Sequence, residues 1–270
     1  MGPGVRRDDK SMRARITIAL LAASLVVSAA AARADDVSAL YSATWAGLPA
    51  ATISLSLHDG GGAYRDQIAI GSEGLPHIVT HFRGTAIAQG KIGAGNAPSP
   101  DRFDANYDLR KRKNRELRMN FVARDGATVA ERGPGDTSRK PELKEQFRRD
   151  VIDPLSVITA IRAAVRRGET QFTIPVYDGA RRFNAEVRVL PRDPGDPGIH
   201  LALLLRAIAG FKGESSDDPK EDPDDAPRPV SLTLSDDGKL TPLSMTVKIW
   251  FLPLTATLER LCAPGGTCAW

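Results

Sequence analysis

Apolar and polar positions alternate over most of this chain, in short runs closed by turn residues. In ATISLSL, Ile53, Leu55 and Leu57 fall at every second position, which places them on one face of a strand. Residues 40–46 give a strand before them, across a Gly-Leu-Pro turn. Residues 64–70 and 78–88 continue the series, with turn material at 59–62 and 71–76. Residues 103–109 and 116–123 read as two more strands around a basic turn, Arg110-Lys111-Arg112-Lys113-Asn114-Arg115. Asp125-Gly126 is a hairpin signal, because Asp-Gly suits the primed turns whose twist matches antiparallel strands. Residues 131–146 are polar and without period, a surface loop. Residues 172–177 and 183–190 form a hairpin across Asp178-Gly179. The apolar run at 199–211 fits a buried strand or a short helix, and its place in a meander favours the strand. Two or three strands around Asp236-Asp237-Gly238 close the series.

One segment breaks the alternation. In VIDPLSVITAIRAAVRRG, Leu155, Ile158, Ile161 and Val165 recur at spacings of three and four, the period of a helix. Asp153 stands where an N-cap belongs, and Pro154 fits the first helical position, where its missing amide hydrogen costs nothing. Arg162, Arg166 and Arg167 gather toward the end that favours positive charge, and Gly168 stops the helix. A helix with one apolar face needs a sheet to cover it. The expected fold is mainly β: one large curved antiparallel sheet, a partly open barrel or β-spiral, with one prominent helix packed against it.

The two ends change the picture. Arg13 and Arg15 precede a short apolar run from Ile16 to about Val27, and Ala32-Arg33-Ala34 is a small-x-small cleavage pattern before Asp35. This reads as a secretory signal over 1–34, with Met1 or Met12 as its start, and it is too short for a spanning helix. The mature part, 35–270, is then one β-rich domain in the periplasm. The whole chain has 37 basic and 33 acidic residues. Six basic and two acidic residues leave with the signal, so 31 of each remain. A balanced chain in that compartment argues against nucleic acid. An exported chain also lies where disulfides form. The spacing of its two cysteines, Cys262 and Cys268, suits neither a zinc site nor a redox pair. With Ala-Pro-Gly-Gly-Thr between them, they read as a structural clasp. Residues 214–227 form an acidic, order-poor insert.

Several stretches resemble the bacterial DUF3108 family of exported proteins of uncharacterised function. They are YSATWAGLPAATISLSL, the Gly74-Leu75-Pro76 triplet after the Tyr64 strand, IDPLSVITAIR at 152–162, IPVYDGARRFNAEV at 174–187, and Ile208-Ala209-Gly210-Phe211. The resemblance covers most of 40–260. It implies an envelope location and a β-rich fold, and no reaction. The layout of a curved sheet with a helix also looks like that of periplasmic carriers of lipids or lipoproteins and of spiral-shaped envelope-integrity proteins.

No catalytic constellation, cofactor motif or metal site emerges. His77 and His81 would share a face in a helix, but between Pro76 and Gly84 a strand is the better reading, which sets them about 13 Å apart. Ser156 has no base visible in the sequence and serves the helix start. Asp178 and Gly179 make a turn, with Arg181 and Arg182 facing solvent or folding back on Asp178. The basic run at 110–115 is a solvated hairpin tip that could touch anionic lipid headgroups. The function expected is therefore non-enzymatic: binding or carrying an apolar or amphipathic envelope molecule, or supporting envelope integrity. A groove would be lined by Leu55, Leu57, Phe121, Ile158, Ile161, Phe183 and Leu203, and the same residues would equally make a filled core. The alternatives are a structural or protein-partner module with a solid core and, less favoured, a cell-envelope hydrolase. A lipid or an envelope protein is the expected partner. The oligomeric state is open.

Overall fold

The computed structural model describes residues 36–137, 141–192, 195–210, 226–249, 251–263 and 268, without the side chains of 112 and 113. The signal reading at 1–34 and nearly all of the acidic insert lie outside these residues.

Thirteen strands form one antiparallel sheet. In chain order they are β1 (Val37–Trp45), β2 (Leu48–Gly60), β3 (Ala63–Ser72), β4 (Arg83–Ile92), β5 (Pro98–Leu109), β6 (Arg112–Arg124), β7 (Ala127–Arg132), β8 (Gln171–Tyr177), β9 (Arg182–Val189), β10 (Gly198–Ala209), β11 (Arg228–Ser235), β12 (Pro242–Ile249) and β13 (Leu252–Leu261). Helix α1 (Gly74–Thr80) joins β3 to β4, and α2 (Ser156–Arg166) lies between β7 and β8. Every strand pairs with its chain neighbours, except that β1 also pairs with β13 and no ladder joins β7 to β8. The stretch 199–211 is thus a strand over Gly198–Ala209.

The β7 and β8 edges are not left bare. The short segment 148–152 runs between them as a strap. On one side Ala130 N donates to Arg148 O at 2.9 Å and Asp150 N to Thr128 O at 2.7 Å. On the other, Ile152 N donates to Pro175 O and Tyr177 N to Ile152 O, both at 2.9 Å. The sheet is thereby nearly closed into a barrel, and the unpaired edges that invite association are covered.

Two sequence expectations are corrected. Residues 78–81 do not continue a strand: Gly74–Thr80 is a helix, and β4 begins only at Arg83. The short apolar triplet Leu75, Ile78, Val79 has helical spacing, and Gly74 supplies the positive φ of +54° that turns the chain out of β3. A methyl group there would stand 2.5 Å from the Pro49 carbonyl oxygen. The basic run is likewise not a six-residue tip, since the turn is only Arg110–Lys111 and strand β6 starts at Arg112.

The meander sorts the connections between two ends. One end carries the β1–β2 turn, α1, and the β5–β6, β8–β9, β10–β11 and β12–β13 connections; the other carries β2–β3, β4–β5, β6–β7, β9–β10 and β11–β12. The end of β13 is held beside β1, where Cys262 N donates to Ser38 O at 2.8 Å, and Cys262 is disulfide-bonded to Cys268. The ring spans a sequence separation of six, so the entropy it removes from the unfolded chain is worth about 2 kcal/mol. Reduction should lower the melting temperature by about 4–8 °C and leave the fold intact. Far-UV circular dichroism melts with and without reductant check this, and unfolding at room temperature would contradict it.

Candidate functional site

A barrel of about eight strands is filled by its own side chains, whereas much larger ones leave a channel. Thirteen strands enclose more than their side chains can fill, and α2 occupies the difference. Its Ile161 is buried with Ile174, Val176, Ala185, Val187, Leu201, Leu203, Leu232 and Leu234, while Leu155 and Ile158 pack with Val37, Leu57, Met119 and Phe121. The helix therefore stands between two apolar clusters rather than on a one-sided sheet.

Its polar side is buried too. Asp153 Oδ1 accepts the Leu155 and Ser156 amides, both at 2.9 Å, and Oδ2 accepts the Ser156 hydroxyl at 2.5 Å. Ser156 Oγ spends its proton there and so accepts from the Tyr64 phenol at 2.7 Å. One turn on, Thr159 donates to Asp66 Oδ2 at 2.7 Å. Arg162, fully buried, lies 3.4 Å from Asp59 and donates to the Lys239 carbonyl at 2.9 Å, and Arg166 reaches the same Asp59 at 3.1 Å. Arg167 bonds the Gly95 carbonyl. Asp59, Gly95 and Lys239 all belong to one end, which α2 closes. Gly168, with φ +77°, ends the helix. The polar line 156, 159, 162 follows the helical period on a face of its own, but nothing in the sequence alone says that it will be buried. The arginines were expected only to suit the helix dipole.

Burial shifts the acids. Desolvation pushes Asp66 up to about 7, against the Thr159 hydrogen bond and the Arg162 charge, which lower it. Desolvation also raises Asp153, against the hydrogen bonds from Ser156 and Leu155. Tyr64 is raised by burial first and by the Asp153 charge second. Asp66 Oδ1 has no hydrogen-bond partner, which is costly for an ionised oxygen.

The other half of the lumen differs. Directly paired residues share a face of the sheet, so the registers trace inward rows around the ring. On β2, Leu57 and Leu55 are buried but Ile53 is partly exposed; on β3, Tyr64 and Asp66 are buried but Ile68 and Ile70 are not. The same step occurs from Ala88 to Ala86, from Phe103 to Ala105, from Met119 to Leu117, and from Leu203 to Leu205. Met245, on the inward face of β12 beside Val247, is 42% exposed. On these strands the inward side is closed around α2 and the two clusters and partly exposed toward the α1 end, the outline of a bowl, while β1 stays buried at Val37, Ala39, Tyr41 and Ala43.

The seven groove residues expected from sequence divide accordingly. Leu55, Leu57, Phe121 and Ile158 belong to one cluster and Ile161, Phe183 and Leu203 to the other. Five of them are buried in the floor, and only Ile158 and Phe183 are partly exposed. The wall residues Ile53, Ile68, Ala86, Ala105, Leu117, Leu205, Val247 and Met245 were missed. Of these, Ile53 and Leu205 lie two residues from the candidates Leu55 and Leu203 toward the α1 end, and the others lie farther along the register or on strands that carried no candidate.

The remaining candidates are occupied locally. Asp178 accepts the Ala180 and Arg181 amides at 3.0 and 2.7 Å and the Arg181 guanidinium at 2.9 Å. Gly179 takes φ +87°, and a Cβ there would lie 2.4 Å from Leu117. His77 in helix α1 and His81 just after it bring their rings together, with centroids 4.6 Å apart, where a strand would have separated them. Ser72 Oγ lies 3.2 Å from His77 Nδ1. Among the described residues no group of three or more His, Cys, Asp or Glu is placed to hold a metal, and no helix is long and apolar enough to cross a membrane.

The fold and its bowl define a helix-plugged, β-barrel-like protein. The chain belongs to the family described as "Protein of unknown function (DUF3108)", whose profile matches residues 40–259. Among solved structures it is similar to a "Beta-barrel-like Protein of Domain of Unknown Function DUF1849 from Brucella abortus". The likeness has a TM-score of 0.56 and 14% identity, and covers 86% of this chain and 98% of that one; it shows the fold. No curated protein matches the chain.

Two outcomes follow from the floor. The folded chain holds the Asp66 proton more tightly than the unfolded chain does, so the stability this group lends is complete below about pH 4. It is lost as pH rises to about 7. Asp66→Asn keeps an acceptor for Thr159 and removes the titration. Its melting temperature relative to the parent should rise between pH 4 and 7, and superimposable profiles would contradict this. Asp153→Ala strands two buried amides and should cost about 2 kcal/mol in urea unfolding.

Proposed function

We propose that this protein is exported to the periplasm and is not an enzyme, and that it binds an apolar or amphipathic molecule of the cell envelope in the bowl above α2. The observation that carries the reading is the step in burial around the ring. On β2 to β6 and on β10 the inward rows are buried on the α2 side and partly exposed on the other, although apolar residues predominate in both halves; β1 stays buried throughout. A solid core would bury both halves. An apolar wall with few polar groups is the usual lining for a hydrophobic ligand. The buried Ser156 and the acids beside it hold α2 in place, which leaves them closed to a substrate. The disulfide suits an oxidising compartment, and the apolar run behind Arg13 and Arg15 suits an export signal.

Native mass spectrometry of protein purified gently from the envelope fraction, followed by organic extraction, tests the proposal. A stoichiometric lipid-like mass is expected. Ala105→Trp places a large ring on the bowl wall, and should abolish that mass and the binding of an apolar fluorescent probe while the melting temperature holds. A clean unliganded mass together with no probe binding by the parent would overturn the proposal in favour of a filled structural module.

A further inference from the structure

Helix α1 is built inside out. Leu75, Ile78 and Val79, at i, i+3 and i+4, share one face, and that face points outward with the side chains 58, 62 and 70% exposed. The side toward the sheet carries Pro76, His77 and Thr80, and no residue of the helix is buried. A surface helix ordinarily turns such a stripe to the core. Here the chain holds it outward: Arg110 N donates to Thr80 O at 2.7 Å and Arg110 Nη1 to Ile78 O at 3.2 Å. This fixes the helix against the β5–β6 turn.

Two cations, Arg110 and Lys111, flank the Val79 end of the stripe. Arg83 follows α1, and Arg110 and Lys111 form the neighbouring turn, all three exposed. Between the helix end and that turn lies an open cleft of about 580 Å³, walled by Val79, Thr80, Leu109, Arg110 and Lys111. The patch is part of a wider asymmetry. Among the described residues, Leu48, Ile208, Ile249 and Phe251 are also exposed at this end, Phe251 by 79%, whereas only Leu190 and Leu261 are exposed at the other.

We propose that the α1 side of the mouth docks the protein on an anionic phospholipid bilayer. Leu75, Ile78 and Val79 enter the acyl boundary, and Arg83, Arg110 and Lys111 meet the phosphates. Apolar tips with cations beside them are the arrangement that lies in such an interface. Complementary charge and a short, narrow apolar ridge favour a lipid surface over a folded protein, which would need a broader face. The inference goes beyond the ligand reading, because it is argued from the rim alone and does not require the bowl to hold anything. If both are right, the bowl opens onto the surface that supplies its ligand.

The test is flotation of the full chain, as purified from cells, with vesicles of phosphatidylcholine alone or mixed with phosphatidylglycerol. Intact mass establishes whether residues 1–34 are present, and all variants share the same N-terminus. The parent should bind the mixed vesicles and lose binding in about 0.5 M salt. Ile78→Asp, and Arg110→Glu with Lys111→Glu, should each weaken partitioning by about tenfold or more. Leu190→Asp, at the other end, should change nothing. Unchanged melting temperatures would show that the variants remain folded. Equal binding by all variants, or no preference of the parent for the anionic vesicles, would overturn the proposal. A parent that ignored both vesicles but captured a protein would do the same. The bowl reading would survive any of these results, since its own test reads a co-purified mass.

Discussion

A sheet of thirteen strands cannot close on its own side chains, and every later feature of this protein depends on the helix that takes up the space. Hydrophobic burial explains why α2 is inside but not how it is oriented, because apolar contact is nearly indifferent to direction. The polar line supplies the direction. Ser156, Thr159 and Arg162 meet Tyr64, Asp66 and Asp59, which all face inward from β2 and β3. A helix rotated about its axis would leave Arg162 buried without Asp59, and Asp66 without Thr159. An isolated buried charge costs far more than the pair returns when it is satisfied.

The same bonds make the two ends of the barrel unequal. Arg162 and Arg166 hold Asp59 and the Lys239 carbonyl, and Arg167 holds the Gly95 carbonyl. The β2–β3, β4–β5 and β11–β12 connections are thus drawn onto the helix. Nothing comparable crosses the other end among the described residues. There the walls keep the alternation of a half-buried sheet without a partner to complete it. The strap at 148–152 serves both requirements, since it joins β7 to β8 and then delivers the chain, through the buried cap of Asp153, into the lumen.

Much of this was legible in the sequence. Period-two runs gave the strands and their antiparallel order, and the i, i+3, i+4 stripe between Asp153 and Gly168 gave the helix. What alternation could not give was burial on the second face of α2. Ser156, Thr159 and Arg162 look like a solvated face until thirteen strands are seen to surround them. The strand reading of residues 78–81 failed for a related reason. Leu75, Ile78 and Val79 have helical spacing, but over fewer than two turns a helix is marginal on its own. The contacts that decide it, from Pro49 to Gly74 and from Arg110 to Thr80 and Ile78, are 25 residues or more away in the chain. The candidates Leu55 and Leu203 lie one step deeper than the partly exposed Ile53 and Leu205, because a strand's period fixes the face but not the depth along the barrel.

The inverted stripe on α1 bears on how the two halves of the molecule differ in physical role. Burial of Leu75, Ile78 and Val79 would have required only a rotation of a seven-residue helix, and the side now turned inward offers just Pro76, His77 and Thr80 in exchange. Exposed apolar side chains on one helix face are unfavourable in water unless something covers them, and their cost is that of the area left wet. At the α2 end fewer large apolar side chains are exposed among the described residues, and the helix arginines hold the Gly95 and Lys239 carbonyls. The contrast between an end that satisfies its polar groups internally and an end that leaves apolar groups unsatisfied is what a protein requires if one end is to persist in water and the other is to be completed by something else.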